Sequence, residues 1–246
     1  MAMTPAMLKA YTSGKPVKSD PAFQAALTAT LSEFQAALPA EHPFREDLAT
    51  LERFLIARKF NVDDATGMLN AHVSWRAATL PVKLTDPVRS DLRMGKYYQY
   101  GTDLNGNAVI VVRSGLFNKE RKLDEATSAI IYILESALQQ SELLSVLYDR
   151  ENFSIAKNLD IELIKTVAKI LGDNYPERLK GVYLYPTGLV FKGIWNMVSP
   201  FLDPRTRGKV HMLQNKSDFL KYFDASGMET RYGGTLAPFD GASAYL

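Results

Sequence analysis

The sequence predicts an α/β fold in two parts, a helical bundle followed by a largely parallel or mixed sheet with crossover helices. Three observations carry this reading. Over residues 21–84 apolar side chains recur at helical spacing, in runs separated by prolines. Beyond Tyr97 short apolar runs of strand length alternate with long helical ones. The 246 residues are 46% apolar and 23% charged, enough for one large domain or two small ones.

The elements follow in order. Residues 1–20 are read as a flexible lead-in; Lys9, Lys15 and Lys18 could assist contact with an anionic membrane, but a simple tail is the plainer reading. Asp20 and Pro21 form a helix start, and Phe23, Ala26, Leu27, Leu31, Phe34 and Leu38 lie at helical spacing before Pro39. A second helix starts near Phe44, turns Leu48, Leu51, Leu55 and Ile56 inward, and ends around Lys59, where basic groups suit a helix carboxyl end. A third follows Asn61 and carries Ala65, Met68, Leu69, His72, Val73 and Trp75 before Pro81. Tyr97–Gly101 and Ala108–Arg113 read as strands around a turn containing Asn105 and Gly106, the second strand apolar on both faces. Helix Leu123–Leu144, strand Leu144–Tyr148, helix Leu159–Leu171, strand Gly181–Tyr185 and strand Val210–Leu213 complete the second part, residues 85–246.

Between the last two strands runs Gly188–Ser199, apolar except for Lys192 and Asn196. A helix apolar on nearly every side must be covered on nearly every side. At 1.5 Å per residue it reaches only about 18 Å, too short to cross a bilayer. It is either a buried core helix or a movable cover between an apolar ligand and lipid, and periodicity alone favours the core helix.

Composition excludes several functions. A formal net charge of +2, with no long run of like charges, argues against nucleic-acid binding. With no cysteine, disulfides, zinc-thiolate sites and cysteine nucleophiles are ruled out. The amino terminus lacks the apolar core of a signal peptide, so a soluble cytoplasmic protein is expected. His42 precedes a proline, His72 lies on an apolar helical face and His211 alternates along a strand, so all three read as structural. No nucleophile elbow or metalloprotease motif occurs, and no metal site is expected. Gly101–Ala108 fails as a phosphate loop because Asn107 and Ala108 replace its Lys and Ser or Thr; as a calcium loop from Asp103 it lacks the Gly needed at Ala108. It reads as a hairpin turn.

Charges gather at turns: Arg58 and Lys59, then Glu177 and Arg178 after Pro176, then Arg205, Arg207 and Lys209 after Pro204. Such groups are usually solvated, and surface pairs contribute only about 0–1 kcal/mol. Glu177 and Lys209 nevertheless bracket a strand and the apolar helix. A carboxylate and an ammonium there could bind a polar headgroup while the apolar segment covers acyl chains.

Four motifs carry a family resemblance: Leu51-Glu52-Arg53-Phe54-Leu55-Ile56-Ala57-Arg58-Lys59-Phe60, Tyr175-Pro176-Glu177-Arg178, Phe201-Leu202-Asp203-Pro204 and Tyr232-Gly233-Gly234-Thr235. In order and spacing the chain resembles the CRAL-TRIO family of lipid-transfer proteins from about Phe44 to Leu236. The resemblance implies an amino-terminal helical tripod, then a mixed-sheet domain whose sheet floors a gated apolar lipid pocket. It implies headgroup binding by Arg58, Lys59, Glu177, Lys209 and, less directly, Thr206. It places a gate at Leu189, Val190, Phe191, Ile194, Trp195 and Val198, with Arg178 controlling its movement. The implied activity is binding and transfer of phospholipid, phosphatidylinositol with possible exchange for phosphatidylcholine, at transient membrane contacts. No reaction, cofactor or nucleic acid is expected, and the protein is expected to be a monomer.

One departure bears on the cargo. Where phosphatidylinositol-binding members carry strand hydroxyls, this sequence has Leu144 and Val146, and Ser145 between them should point to the opposite face. A bulge could rescue it. Without one, a carrier of sterol, retinoid or tocopherol becomes the rival, beside a lipid-sensing module without net transfer.

Overall fold

The computed structural model describes residues 3–12, 19–118, 122–202 and 204–245. Lys15, Lys18 and Asp203 lie outside the described residues. The chain divides into two compact units, residues 1–80 with 171–177, and residues 81–170 with 178–246.

The first unit contains α1 (Pro5–Thr12), α2 (Pro21–Ala37), α3 (Leu48–Ala57) and α4 (Val62–Thr79). Residues 5–12, expected in a flexible lead-in, are helical instead; Met7, Leu8 and Tyr11 pack on the core of this unit. Tyr11 stacks on Phe23 at 5.4 Å and meets Phe60 edge-on at 5.8 Å. In α2 the Asp20 carboxylate accepts from the Ala22 amide at 2.8 Å, and Pro21 occupies the first turn, where its missing N–H costs nothing. Phe23, Ala26, Leu27 and Phe34 are buried as their spacing requires.

Helix α3 begins four residues later than Phe44. Asp47 accepts from the Thr50 amide at 2.9 Å and so defines the start, which leaves Leu48 in the first turn, half exposed rather than inward. At its other end the Phe60 amide donates to the Leu55 carbonyl at 2.7 Å and the Lys59 amide to Ile56 at 3.1 Å. This closing turn holds Lys59 and Phe60 at left-handed φ values of 53° and 63°. Asn61 then caps α4, accepting from the Asp64 amide at 3.0 Å.

The second unit runs α5 (Asp86–Arg93), β1 (Tyr97–Thr102), β2 (Ala108–Arg113), α6 (Leu123–Leu138), β3 (Leu144–Asp149), a short α7 (Ile155–Asn158) and α8 (Ile161–Asn174). The last turn of α8 belongs with the first unit. Then follow β4 (Leu179–Tyr185), α9 (Leu189–Val198), α10 (Pro204–Gly208), β5 (Val210–Met212) and α11 (Gly241–Ala244). Helix α6 stops six residues short of Leu144, which frees the following turn to lead into β3.

The five strands lie in the order β1-β2-β3-β4-β5; the first pair is an antiparallel hairpin and the rest are parallel. At the hairpin tip Asp103 Oδ1 accepts the amides of Asn105 and Asn107 at 2.8 and 3.0 Å. On one face Tyr98, Val109, Val111, Leu147 and Tyr183 form a core with the carboxyl-terminal Phe219, Phe223, Met228 and Tyr232. On the other, α6 packs on β1 and β2, and α9 packs on β4.

Candidate functional site

Helix α9 buries Phe191 and Ile194, one turn apart, against Leu184 of β4, with Tyr148, Val182, Trp195, Val198 and Val210 partly buried around them. The side chains of Leu189 and Val190 lie outside the described ones. The helix is not covered on nearly every side, as its composition suggested. Met197 is 51% exposed and Gly193 and Asn196 also face outward. Just beyond α9, Phe201 is 37% exposed, with the Lys165 ammonium 4.8 Å above its ring. The helix has an apolar inner side and an exposed outer side, and the half-exposed Phe201 that follows it carries the ammonium of Lys165, a residue of α8.

The sheet face beneath α9 carries Leu144 and Val146, in line with Tyr148. A bulge is present, but it does not bring Ser145 to that face. Leu144 pairs with Leu179 and Ser145 with Gly181, so the extra residue is Lys180 on the neighbouring strand. Ser145 is fully buried, and its hydroxyl donates to Asp103 Oδ2 at 2.7 Å. Burial alone would lift the Asp103 carboxyl; hydrogen bonds from Asn107, Ser145 and the turn amides outweigh it and hold it below the usual carboxylate range.

Arg58, Lys59 and Glu177 belong to the first unit, and Thr206, Lys209 and Arg178 to the second. Arg58 turns back on the Ala57 carbonyl at 3.4 Å. Lys59 is exposed; Glu177 is half-buried and, like Lys59, left-handed, at φ 57°. Four non-glycine residues among the described ones adopt positive φ, and two of them are proposed headgroup groups. Such backbone costs an L-residue about 1–2 kcal/mol and collects at functional positions. Thr206 and Lys209 are brought together by α10, the Lys209 amide donating to the Thr206 carbonyl at 3.1 Å. The Lys209 ammonium donates to the Leu179 carbonyl at 2.6 Å, and Arg178 to the Glu142 carbonyl at 2.9 Å.

The sequence reading missed Arg150. Directly after β3, its guanidinium lies 4.5 Å from the Phe191 ring centroid and 5.0 Å from that of Phe153. It also donates to the Pro186 carbonyl at 2.9 Å, and burial pulls its pKa down. An arginine in a turn after a strand ordinarily reads as solvated. The available signal was Phe153, an aromatic residue three positions on.

On the opposite face, Tyr232 of the Tyr-Gly-Gly-Thr motif donates to Asp149 Oδ2 at 2.8 Å, and burial pushes both groups up in pKa. A Cβ on Gly234 would lie 2.1 Å from the Met228 carbonyl oxygen, so only glycine fits. His211 stacks on Tyr183 at 5.0 Å, His42 accepts from the Phe44 amide at 3.2 Å, and buried His72 lies 3.1 Å from Asn174. Among the described residues no helix is long and apolar enough to cross a membrane.

Comparison with known proteins matches residues 92–234 to the CRAL/TRIO domain. The phosphatidylinositol/phosphatidylcholine transfer protein SFH12 of Arabidopsis thaliana is 29% identical over 231 residues, covering 82% of this chain and 42% of the relative. The phosphatidylinositol transfer protein CSR1 of Eremothecium gossypii is 25% identical over 224 residues, covering 84% of this chain and 50% of the relative. The chain thus spans half or less of the length of these curated relatives. The crystal structure of Sfh5 superposes with a TM-score of 0.64 at 17% identity, covering 100% of this chain and 93% of that one, a likeness of fold. With the whole sheet, its covering helix and Tyr232, Gly233 and Gly234 inside the matched segment, the chain belongs to the CRAL/TRIO domain family.

Proposed function

We propose that this chain binds a phospholipid and exchanges it between membranes, phosphatidylinositol first and phosphatidylcholine as a second cargo. The observation that carries the reading is the two-sidedness of α9. Its inner side, Phe191 and Ile194, suits acyl chains; its outer side, Met197 with Phe201 and Lys165 beyond, suits an anionic bilayer surface. Burying acyl chains at about 25 cal/mol per Å² supplies affinity without any bond being made or broken. When α9 lifts at a membrane, Phe191 and Trp195 exchange protein contacts for lipid rather than water. The names of the relatives support the cargo. The headgroup residues are those the resemblance gives: Arg58, Lys59, Glu177, Lys209 and Thr206, with Arg178 acting on the gate. The protein acts as a cytoplasmic monomer that visits membranes.

A second reading, a carrier of a neutral apolar ligand, is favoured by Leu144 and Val146 beneath α9 and by the locked hydroxyl of Ser145. One experiment separates the two. Protein purified from a eukaryotic host is extracted, its lipids are identified by mass spectrometry, and vesicle-to-vesicle transfer of labelled phosphatidylinositol is measured. Stoichiometric phosphatidylinositol with transfer supports the first reading; neutral lipid alone, with no phospholipid transfer, replaces it with the second.

A further inference from the structure

The turn after β3 is fixed from several sides. The Ser114 hydroxyl donates to the Asp149 carbonyl at 3.0 Å, and the Glu151 amide to Asp149 Oδ1 at 2.7 Å. The Arg150 amide donates to the Tyr185 carbonyl at 2.6 Å, and Asn152 turns at φ 62°. A Cβ on Gly115 would lie 2.1 Å from the Glu151 carbonyl oxygen, so the turn is pressed against that glycine. An arginine mounted this firmly projects its guanidinium to a set position.

That position is the leading end of α9. We propose that Arg150 is a positioning residue, a clasp that holds the first turn of α9 on the sheet and sets how readily the helix lifts; this rests on the reading of α9 as a movable cover. Its planar guanidinium covers the Phe191 ring and donates to the Pro186 carbonyl, so it engages both the helix and the segment leading into it. No carboxylate pairs with it among the described residues, so its attraction is directed at the ring and the carbonyl. Thr187 supplies a separate anchor: its amide and hydroxyl both donate to the Leu213 carbonyl, at 2.9 and 2.7 Å. Releasing Arg150 leaves that anchor in place, and α9 swings about Thr187 instead of detaching.

The test is hydrogen exchange on the full chain, wild type against Arg150→Met, Arg150→Lys and Phe191→Leu. In Arg150→Met the amides of residues 193–198 should exchange about tenfold faster, the scale of a lost cation–ring contact. Arg150→Lys, which keeps charge but loses the plane, should fall between. Amides of Val111 and Leu147 should not change, and Arg150→Met should add little in a Phe191→Leu background. Unchanged α9 exchange, equal acceleration of strands and helix, or full additivity with Phe191→Leu would each overturn the clasp. If wild-type α9 opens only together with the strands, the cover reading falls and the clasp with it. If the local acceleration is seen but the wild type moves no lipid between vesicles, the transfer function falls and the clasp stands.

Discussion

Replacing Lys59 with glycine should stabilise the protein while weakening its hold on phosphatidylinositol. Lys59 sits at φ 53° in the turn that ends α3, and its side chain is exposed. Left-handed backbone costs an L-residue about 1–2 kcal/mol, which glycine escapes. Glycine returns about 0.5–1 kcal/mol of that through the greater entropy of the unfolded chain. The net gain is about 0.5–1 kcal/mol. At a urea m-value of about 2 kcal/mol/M, the midpoint should rise by about 0.25–0.5 M. Binding should move the other way: one charge-assisted hydrogen bond to phosphate is worth about 1.5–3 kcal/mol, or about ten- to a hundredfold in affinity. Lys59→Ala separates the effects, because it removes the ammonium and keeps the strained backbone. It should lose the same affinity without the gain in midpoint. A midpoint unchanged or lowered in Lys59→Gly would show that the backbone stores no strain, and unaltered phosphatidylinositol binding in both variants would remove Lys59 from the headgroup set.

Other expectations concern the cover, the floor and the hairpin. Trp195→Asp should slow vesicle-to-vesicle transfer, since a carboxylate opposes entry of α9 into lipid; wild-type rates would count against the cover. Lys209→Ala should lose phosphatidylinositol selectively while other cargo is retained, and equal loss of every lipid would point to collapse instead. Val146→Thr places a hydroxyl on the face beneath α9 at little change in volume. It should raise phospholipid affinity about fivefold, for a hydrogen bond worth about 1 kcal/mol, and an unchanged lipid profile would show that phosphate does not reach this strand. The depressed Asp103 carboxyl gives a pH signature. Its stabilisation is complete above the unfolded value near about 3.9 and disappears as pH falls through the lower folded value. Asp103→Asn should therefore lower Tm at neutral pH and converge on the wild type in acid; a constant offset would refute this.

Much of the fold was legible because its signals are local. Asp20, Pro21 and Pro39 delimit α2 by capping and by the loss of an N–H, and Asn105-Gly106 marks the hairpin. Helix α3 was misplaced because Phe44 and Leu48 continue the apolar period, while Asp47, which starts the helix, reads as one more surface acid. Helix α1 was missed because its order comes from packing on Phe23 and Phe60, which residues 1–20 do not announce. In the candidate site, alternation along β3 correctly put Ser145 on the face away from α9, but its partner Asp103, 42 positions earlier, could not be inferred. Arg150 escaped for the same reason: its meaning lies in Phe191 and Pro186, remote in sequence and adjacent only once β3 and β4 pair.

The bond between Ser145 and Asp103 has a bearing on how the sheet assembles. Strand β2 is apolar at five of its six positions and β3 at four of six, so neither presents the strict alternation that ordinarily tells a strand which side faces which layer. A slip of one residue between them would exchange one set of aliphatic side chains for another at little hydrophobic cost. It would also carry the Ser145 hydroxyl away from Asp103 and press Leu144 or Val146 against a buried carboxylate. Together with the Tyr232 bond to Asp149 at the other end of β3, the Ser145 hydroxyl thus acts as a register pin, making the misaligned sheet expensive where greasy side chains alone would tolerate it.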